Sequence, residues 1–256
     1  MEIDCEEKVK LIKERFGSNI VYQEHLSRYY FAKEFVKDKF ILDAGCNIGD
    51  GTFILASTAK KVIAFDIDRT AINYANKYFK TENIDYFVKD VLNLDFKNKT
   101  FDVVVSLEVV EHLLEQDRYL YQLHRVLKDD GLMIISTPNK KIIKIEGSSS
   151  NPTHIKELDY PEFKKLLKKY FKKIDFYGQK RGKGIVGYAN YIHKIIRAID
   201  FFKLRTLFSQ NYRNKISDKL AKYTGAKGPE SISLEDIKIS KFSIGSARTI
   251  IAVCKK

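Results

Sequence analysis

Between residues 39 and 137 the sequence alternates short runs of apolar and β-branched residues with segments of helical periodicity. The runs that predict strands are FILDA (40–44), KVIAFD (61–66), YFVKD (86–90), FDVVVSL (101–107) and GLMIIST (131–137). The segments that predict helices between them are 51–59, 69–79 and 114–128. This alternation is typical of a parallel sheet with helices on both faces, so the pattern predicts an α/β fold.

The sequence predicts that the chain has four parts. Residues 1–38 read as N-terminal helices, 39–180 as the core, 181–242 as a helical insert and 243–256 as a last strand of the core sheet. A helix at 160–170 and a strand at 172–179 complete the core. Within 187–213, apolar residues recur at helical spacing beside a basic stripe. This insert is expected to be a lid on the core, or a helix that lies on a membrane surface.

The charge of the chain is unevenly distributed. Residues 1–137 contain 19 Lys+Arg and 23 Asp+Glu, a net −4, whereas residues 138–256 contain 27 and 10, a net +17, which together give +13. A one-sided basic excess attracts phosphates, nucleic acid or an anionic membrane surface, although a well-solvated lysine-rich surface has the same composition.

Hydropathy and cysteine usage exclude several classes of protein. No apolar run reaches the roughly 18 residues that a transmembrane helix needs, and the first residues are charged, so we expect a cytoplasmic protein. Cys5, Cys46 and Cys254 lie far apart, which argues against a disulfide framework. His112 with Asp90 or Glu111 would be the candidate metal ligands, but nothing shows the multiple-ligand spacing that a metal needs, so the sequence predicts no metal site.

A glycine-rich segment, ILDAGCNIGDGT (41–52), leaves the first predicted strand and enters a helix. Glycines are expected there because the chain must turn sharply and its backbone must approach a ligand closely. Asp66 ends the next strand, where a carboxylate can accept hydrogen bonds from both ribose hydroxyls. Together they predict a nucleoside ligand. The glycines fall at relative positions one, five and seven. NAD and FAD are disfavoured because their fingerprint needs one, three and six.

With these residues the chain resembles the class I S-adenosylmethionine-dependent methyltransferases, in particular the small-molecule branch related to ubiquinone and glycan methyltransferases. Asp43, Gly45, Cys46 and Gly49 stand at matching positions of the family's D-x-G-C-G-x-G loop. Asn47 replaces a glycine, and asparagine also tolerates the left-handed backbone conformation. The resemblance implies a Rossmann-like seven-stranded sheet, mostly parallel with an antiparallel last strand, with helices on both faces and a helical lid insertion.

The resemblance also implies S-adenosylmethionine as the cofactor and a set of residues that bind it. Asp66 matches the acid that binds ribose, Asp90 and Val91 the adenine-binding position, and 106–113 (SLEVVEHL) the segment after the fourth strand. The N-terminal EHLSRYYFA is similar to an element that covers the cofactor, although an ordinary amphipathic helix has the same pattern. The candidate cofactor contacts are Asp43, Gly45, Cys46, Asn47, Gly49, Asp66, Ile67, Asp90, Val91, Ser106, Leu107, His25 and Tyr29.

Two histidines are candidate catalytic residues. His112 follows the fourth strand and is placed to face the acceptor, where an imidazole suits proton transfer near neutral pH. It could equally begin a helix or hydrogen-bond the cofactor. His154 and Glu157 follow the fifth strand at a position where the family often has His-x-x-Glu-Leu. Glu157 has a second interpretation as a favourable negative charge in the first turn of a helix.

The sequence evidence on the chemical class of the acceptor comes from the segment that follows the fourth strand. Ser106-Leu107-Glu108-Val109 stands where methyltransferases of base amino groups carry Asn/Asp-Pro-Pro-Tyr. We therefore expect O-methylation of a small-molecule, glycan or lipid-linked acceptor, which could be anionic. An RNA methyltransferase and a non-catalytic S-adenosylmethionine-binding protein are the alternatives.

Overall fold

The computed structural model describes residues 19–145, 153–182 and 232–256. The strands are β1 (Phe40–Ala44), β2 (Lys61–Asp66), β3 (Ile84–Val88), β4 (Phe101–Leu107), β5 (Leu127–Pro138), β6 (Lys173–Arg181), β7 (Ile237–Ser240) and β8 (Thr249–Lys255). The helices are α1 (Asn19–Lys33), α2 (Asp50–Ala56), α3 (Arg69–Tyr78), α4 (Gln116–Val126), α5 (Lys140–Ile145) and α6 (Tyr160–Leu167). Most of the predicted insert lies outside the described residues, so the lid remains a prediction.

The strands form one sheet in the order β3-β2-β1-β4-β5-β8-β6-β7. The pairs from β3 to β5 are parallel, and β8 runs antiparallel to both β5 and β6. The mostly parallel sheet with an antiparallel last strand is confirmed. The prediction of seven strands is wrong, because the described residues form a sheet of eight. The short IKIS segment that forms β7 contains no apolar run that distinguishes it from a loop.

Both faces of the sheet are buried. Toward one face, the central strands contribute side chains that pack in one cluster with the apolar sides of α4 and α6. The members from these strands and helices include Leu42, Val104, Met133, Ile135, Ala252, Tyr119, Leu123, Phe163 and Leu167. Neighbouring strand positions such as Ile41 and Ile134 are also fully buried on the opposite side. Tyr29 of α1 reaches Asp43 of β1 there, so helices cover both faces.

The chain divides into two compact units. The described part of the larger unit comprises residues 25–145, 153–180 and 239–256 and contains the candidate site below. In the described part of the smaller unit, the guanidinium of Arg181 donates to both carboxylate oxygens of Glu24, at 2.8 and 3.0 Å. Across the residues that the structure describes, no helix has the length and apolarity required to cross a membrane.

A capping box begins α6. Asp159 Oδ1 accepts a hydrogen bond from the Glu162 N–H at 3.0 Å, and Glu162 Oε2 accepts from the Asp159 N–H at 2.9 Å. Asp159→Ala is expected to lower the free energy of unfolding by about 1 kcal/mol, because two helix-terminal donors lose their acceptors or their geometry. Urea unfolding measures this, with Asp130→Ala, the loss of an exposed acid in β5, as the control. Equal midpoints for the two variants would contradict the prediction.

Candidate functional site

The glycine-rich loop after β1 has the left-handed turns that its sequence predicts. Gly45 and Gly49 have φ of +84° and +85°, and Asn47 has φ of +50°. The N–H groups of Gly45 and Cys46 both donate to the carbonyl of Phe65 in β2, at 2.9 and 3.0 Å. These bonds fasten the loop to the end of β2, so the loop and the acid that ends β2 form one local structure.

Asp66 lies at this junction. Its Oδ2 accepts from the Asn47 N–H at 2.9 Å, and its Oδ1 accepts from the Asp68 N–H at 3.0 Å. A carboxylate oxygen has a second lone pair, so each oxygen of Asp66 can accept one further hydrogen bond. The adjacent Ile67 side chain is 72% exposed and offers apolar surface beside that carboxylate. This arrangement suits the two hydroxyls of a ribose and the face of an attached base.

Asp43 is fully buried beneath the loop. Its Oδ2 accepts from the hydroxyl of Thr52 at 2.6 Å, and its Oδ1 accepts from the hydroxyl of Tyr29 at 3.4 Å. Burial raises the pKa of Asp43 to about 7, although both hydroxyl groups act to lower it. Tyr29 also lies against Gly51, where an added Cβ would be 2.2 Å from the tyrosine ring. Helix α1 is therefore fitted closely to the loop.

His25 of α1 reaches the same loop. Its Nε2 lies 3.3 Å from Oδ1 of Asp50, which is buried at the start of α2. Burial acts to raise the pKa of Asp50, but the neighbouring His25 and the backbone N–H of Gly51 lower it below its usual value. Within the described residues, Oδ2 of Asp50 has no hydrogen-bond partner. An ionised carboxylate with a spare oxygen is thus held beside the loop.

Asp90 follows β3 at the same edge of the sheet. Its Oδ1 accepts from the Leu92 N–H at 2.9 Å and its Oδ2 from the side-chain amide of Asn93 at 3.0 Å, while Val91 between them is buried. The carboxyl ends of β1, β2 and β3 therefore place the glycine loop, Asp66 and Asp90 along one edge. The two carboxylates with spare acceptor capacity and the exposed Ile67 suit the hydroxyls and base of a nucleoside.

Three of the predicted contacts lie deeper in the core. The Ser106 hydroxyl donates to the Ala44 carbonyl at 2.8 Å and accepts from the Tyr119 hydroxyl at 2.8 Å, and Leu107 is buried beside it. Cys46 is also buried, and burial raises the pKa of its thiol well above the usual value. These side chains support the loop from below, and the thiol of Cys46 is not activated as a nucleophile.

A second group of polar residues lies after β4 and β5. His112 and His154 are brought together, with ring centroids 4.9 Å apart. His112 Nδ1 is 2.9 Å from the carbonyl of Thr153, and His154 Nδ1 is 2.8 Å from Oε1 of Glu157. The fully buried Glu111 completes the group.

Glu111 was not among the site residues that the sequence predicts. Its burial raises its pKa well above the usual range, and the charge of nearby Glu108 raises it further. The Glu-His pair in EHL could have indicated that Glu111 belongs to the site. His154 lies too far along the chain for sequence spacing to link it to Glu111.

The sheet has the strand order of a Rossmann-like domain of the methyltransferase kind, with an antiparallel strand beside β5. The candidate nucleoside site lies at its carboxyl edge, as in such domains. Residues 42–135 match the family model described as a methyltransferase domain. Over these residues the chain is similar to the class I S-adenosylmethionine-dependent methyltransferases, and this similarity indicates S-adenosylmethionine as the cofactor.

Named relatives support the similarity to methyltransferases. A "Probable S-adenosylmethionine-dependent methyltransferase" of Mycobacterium tuberculosis is 35% identical over 129 residues, which cover 50% of this chain and 46% of that protein. A ubiquinone biosynthesis O-methyltransferase of Rickettsia akari is 32% identical over 121 residues, or 46% of this chain and 44% of the relative. The chain thus spans about half the length of these relatives.

Among solved structures, the fold is similar to a methyltransferase of Thermotoga maritima described as a possible histamine N-methyltransferase. The TM-score is 0.60 at 14% identity, over 98% of this chain and 94% of the other. At this identity the similarity concerns the fold alone.

Proposed function

We propose that this protein transfers the methyl group of S-adenosylmethionine to a hydroxyl oxygen of a small-molecule, glycan or lipid-linked acceptor. The observation that carries the proposal is the presence of two different groups of residues at the carboxyl ends of the strands. The loop with Asp66 and Asp90 suits the cofactor, whereas Glu111, His112 and His154 suit an acceptor that must lose a proton.

The cofactor half of the proposal assigns a part to each group of residues. Asp66 would bind the ribose hydroxyls, and Asp90, Val91 and Ile67 would surround the adenine. The spare oxygen of Asp50, which His25 keeps ionised, suits the ammonium group of the methionine end. The close contact of Tyr29 with Gly51 would hold α1 over this end and limit access of water.

The part of the proposal that concerns the acceptor depends on removing a proton from a hydroxyl group. S-adenosylmethionine supplies a methyl group on a sulfonium, so transfer forms an O–C bond, breaks the S–C bond with its electron pair returning to sulfur, and requires the hydroxyl proton to leave. A hydroxyl is a weak nucleophile until it loses that proton. The two imidazoles and the buried carboxylate of Glu111 form a group suited to removing it. The Rickettsia relative, which is named for O-methylation, agrees with an oxygen acceptor.

RNA is the second candidate acceptor, because residues 138–256 carry a net charge of +17. RNA methylation would fall steeply as salt rises, since binding through phosphates releases counterions. Transfer to a small neutral hydroxyl compound lacks that dependence. The salt profile of the reaction therefore separates the two candidates.

Methyl transfer from labelled S-adenosylmethionine to a panel of phenols, catechols, sugars, polyprenyl-linked glycans and total RNA tests the proposal. We expect incorporation into a hydroxyl compound, and His154→Gln should lower kcat at least about tenfold, because the variant cannot take part in removing the proton. His124→Gln is the matched control, since His124 lies in α4 beside Phe171 and away from this group.

S-adenosylhomocysteine binding, measured by calorimetry, should be the same in both histidine variants and in the unaltered protein. Label found only in RNA, or only on amino groups, would contradict the small-molecule O-methylation proposal. Cofactor binding without transfer to any member of the panel would support the non-catalytic alternative.

A further inference from the structure

We propose that Glu111, His112 and His154 bind a divalent first-row transition-metal ion, and that an open coordination position on this ion takes the acceptor hydroxyl. The second half of this statement rests on the proposed function, whereas metal binding by itself does not. The spacing of ligands along the chain predicted no metal site. The folded chain brings His154 to Glu111 and His112, from which the sequence separates it.

The donor atoms are close enough for a single ion. One ligand atom from each of the three residues lies within 4.8 Å of the others. Bonds of about 2.0–2.2 Å to a four- or six-coordinate ion place ligand atoms about 3–3.5 Å apart, so side-chain shifts of about 1 Å would complete the site. Two imidazoles with one carboxylate are a ligand set that first-row divalent ions prefer.

The hydrogen bonds of the two histidines leave Nε2 of each ring available to an ion. A backbone carbonyl only accepts hydrogen bonds, so Nδ1 of His112 must carry the hydrogen that it shares with Thr153 O at 2.9 Å. Nδ1 of His154 is held in the same way by Oε1 of Glu157 at 2.8 Å. In a neutral imidazole the lone pair then lies on Nε2. Metal-binding histidines typically donate their second N–H to a carbonyl or carboxylate in this manner.

Among the described residues, one carboxylate oxygen of Glu111 has no hydrogen-bond donor. The residue is fully buried, Oε2 accepts only a long hydrogen bond of 3.4 Å from the Thr137 hydroxyl, and Oε1 has no partner among the described residues. A buried carboxylate oxygen without a partner is costly, and a cation offsets that cost. A second carboxylate, that of Glu108, lies close enough to add negative charge to the site.

The backbone around the site is fixed before any ion binds. The N–H groups of Ile155 and Lys156 both donate to the carbonyl of Glu111, at 3.0 and 2.9 Å. The side-chain amide of Gln116 donates to Val110 O at 2.9 Å and to Lys156 O at 2.8 Å. The segment that carries His154 is therefore fastened to the segment that carries Glu111 and His112, as a metal site requires.

Such an ion would explain how the acceptor loses its proton. Three protein ligands leave at least one coordination position open. A hydroxyl that occupies it has a lowered pKa, so its proton passes to solvent and the oxygen becomes a stronger nucleophile for the methyl group. No change of oxidation state is involved. Under this proposal the two histidines act as ligands that position the ion, and the cluster as a whole activates the acceptor.

Titration with Co²⁺ tests the site on the full chain, prepared without a polyhistidine tag and treated with a chelator. We expect a visible absorption band that saturates at one equivalent. Glu111→Gln and His154→Gln should each weaken Co²⁺ binding at least about tenfold, and His124→Gln should not. S-adenosylhomocysteine binding, measured in the same preparations, should be unchanged and reports that each variant is folded.

The absence of a saturable band in the unaltered chain, or equal Co²⁺ affinity in Glu111→Gln, would overturn the metal proposal. The proposed function is judged separately, by methyl transfer to the acceptor panel before and after chelation. Transfer that persists at full rate without metal overturns the role of the ion in activating the acceptor and leaves the proposed function intact. Stoichiometric Co²⁺ binding without transfer to any hydroxyl removes the proposed function alone.

Discussion

Asp66→Ala is expected to weaken binding of S-adenosylmethionine and S-adenosylhomocysteine by roughly 100- to 10,000-fold. The carboxylate would accept two charge-assisted hydrogen bonds from the ribose, and each such bond contributes about 1.5–3 kcal/mol. The substitution also removes the acceptor of the Asn47 N–H, which holds the glycine loop to β2. Calorimetric titration of the purified variant with both nucleosides gives the change in Kd.

Asp68→Ala is the matched control for this measurement. Asp68 lies two residues further on and accepts from the N–H groups of Thr70 and Ala71 at the start of α3, at 2.8 and 3.3 Å. Its loss removes the same charge from the same edge and costs about 1 kcal/mol of helix capping, but no cofactor contact. Equal affinities of the two variants would contradict the assignment of Asp66 to the ribose.

Asp43→Asn is expected to remove a large pH dependence of stability. Burial raises the pKa of Asp43 from the usual 3.8 to about 7, so between these values the folded protein binds more protons than the unfolded chain. The stability that the neutral form contributes is fully present below about pH 4 and is lost as pH rises toward 7. The difference corresponds to a free energy of unfolding on the order of 4 kcal/mol.

Urea unfolding at about pH 4.5 and about pH 7.5 measures this effect. The asparagine side chain of the variant is neutral at both values, so the variant should gain stability relative to the unaltered chain as pH rises. Asp130→Asn, which removes an exposed carboxylate, should show no such relative gain. If the difference between Asp43→Asn and the unaltered chain is the same at both pH values, Asp43 does not titrate in this range.

The central strands could be predicted because their signals are local. The bounds of β1, β2 and β4 agree with the predicted runs, each of which is a continuous apolar stretch bounded by polar or turn-forming residues. The strand β5 begins at Leu127 instead of at Gly131, where the prediction placed it. Lys128, Asp129 and Asp130 have low strand propensity, and the strand begins before them because Leu127 pairs with Phe101 of β4.

The sequence pattern of the proposed cofactor site is local in the same way. Glycines at a sharp turn and an acid at the next strand end are requirements of the backbone and of a ribose, so they appear as a motif in the sequence. The ribose-binding role of Asp66, the adenine-side role of Asp90, the catalytic roles of the histidines, the helical lid and the cytoplasmic location remain predictions.

The sequence by itself determined the α/β class, the mostly parallel sheet, the glycine loop and a nucleoside-type ligand, because each depends on neighbouring residues or on a regular alternation along the chain. Only the tertiary structure decided that β7 joins the sheet edge and that Glu111, His112 and His154 meet. Both depend on contacts between distant segments, such as the hydrogen bonds from Ile155 and Lys156 to the Glu111 carbonyl. The spacing of residues along the chain does not predict such contacts, because packing and backbone hydrogen bonding bring these segments together only when the chain folds.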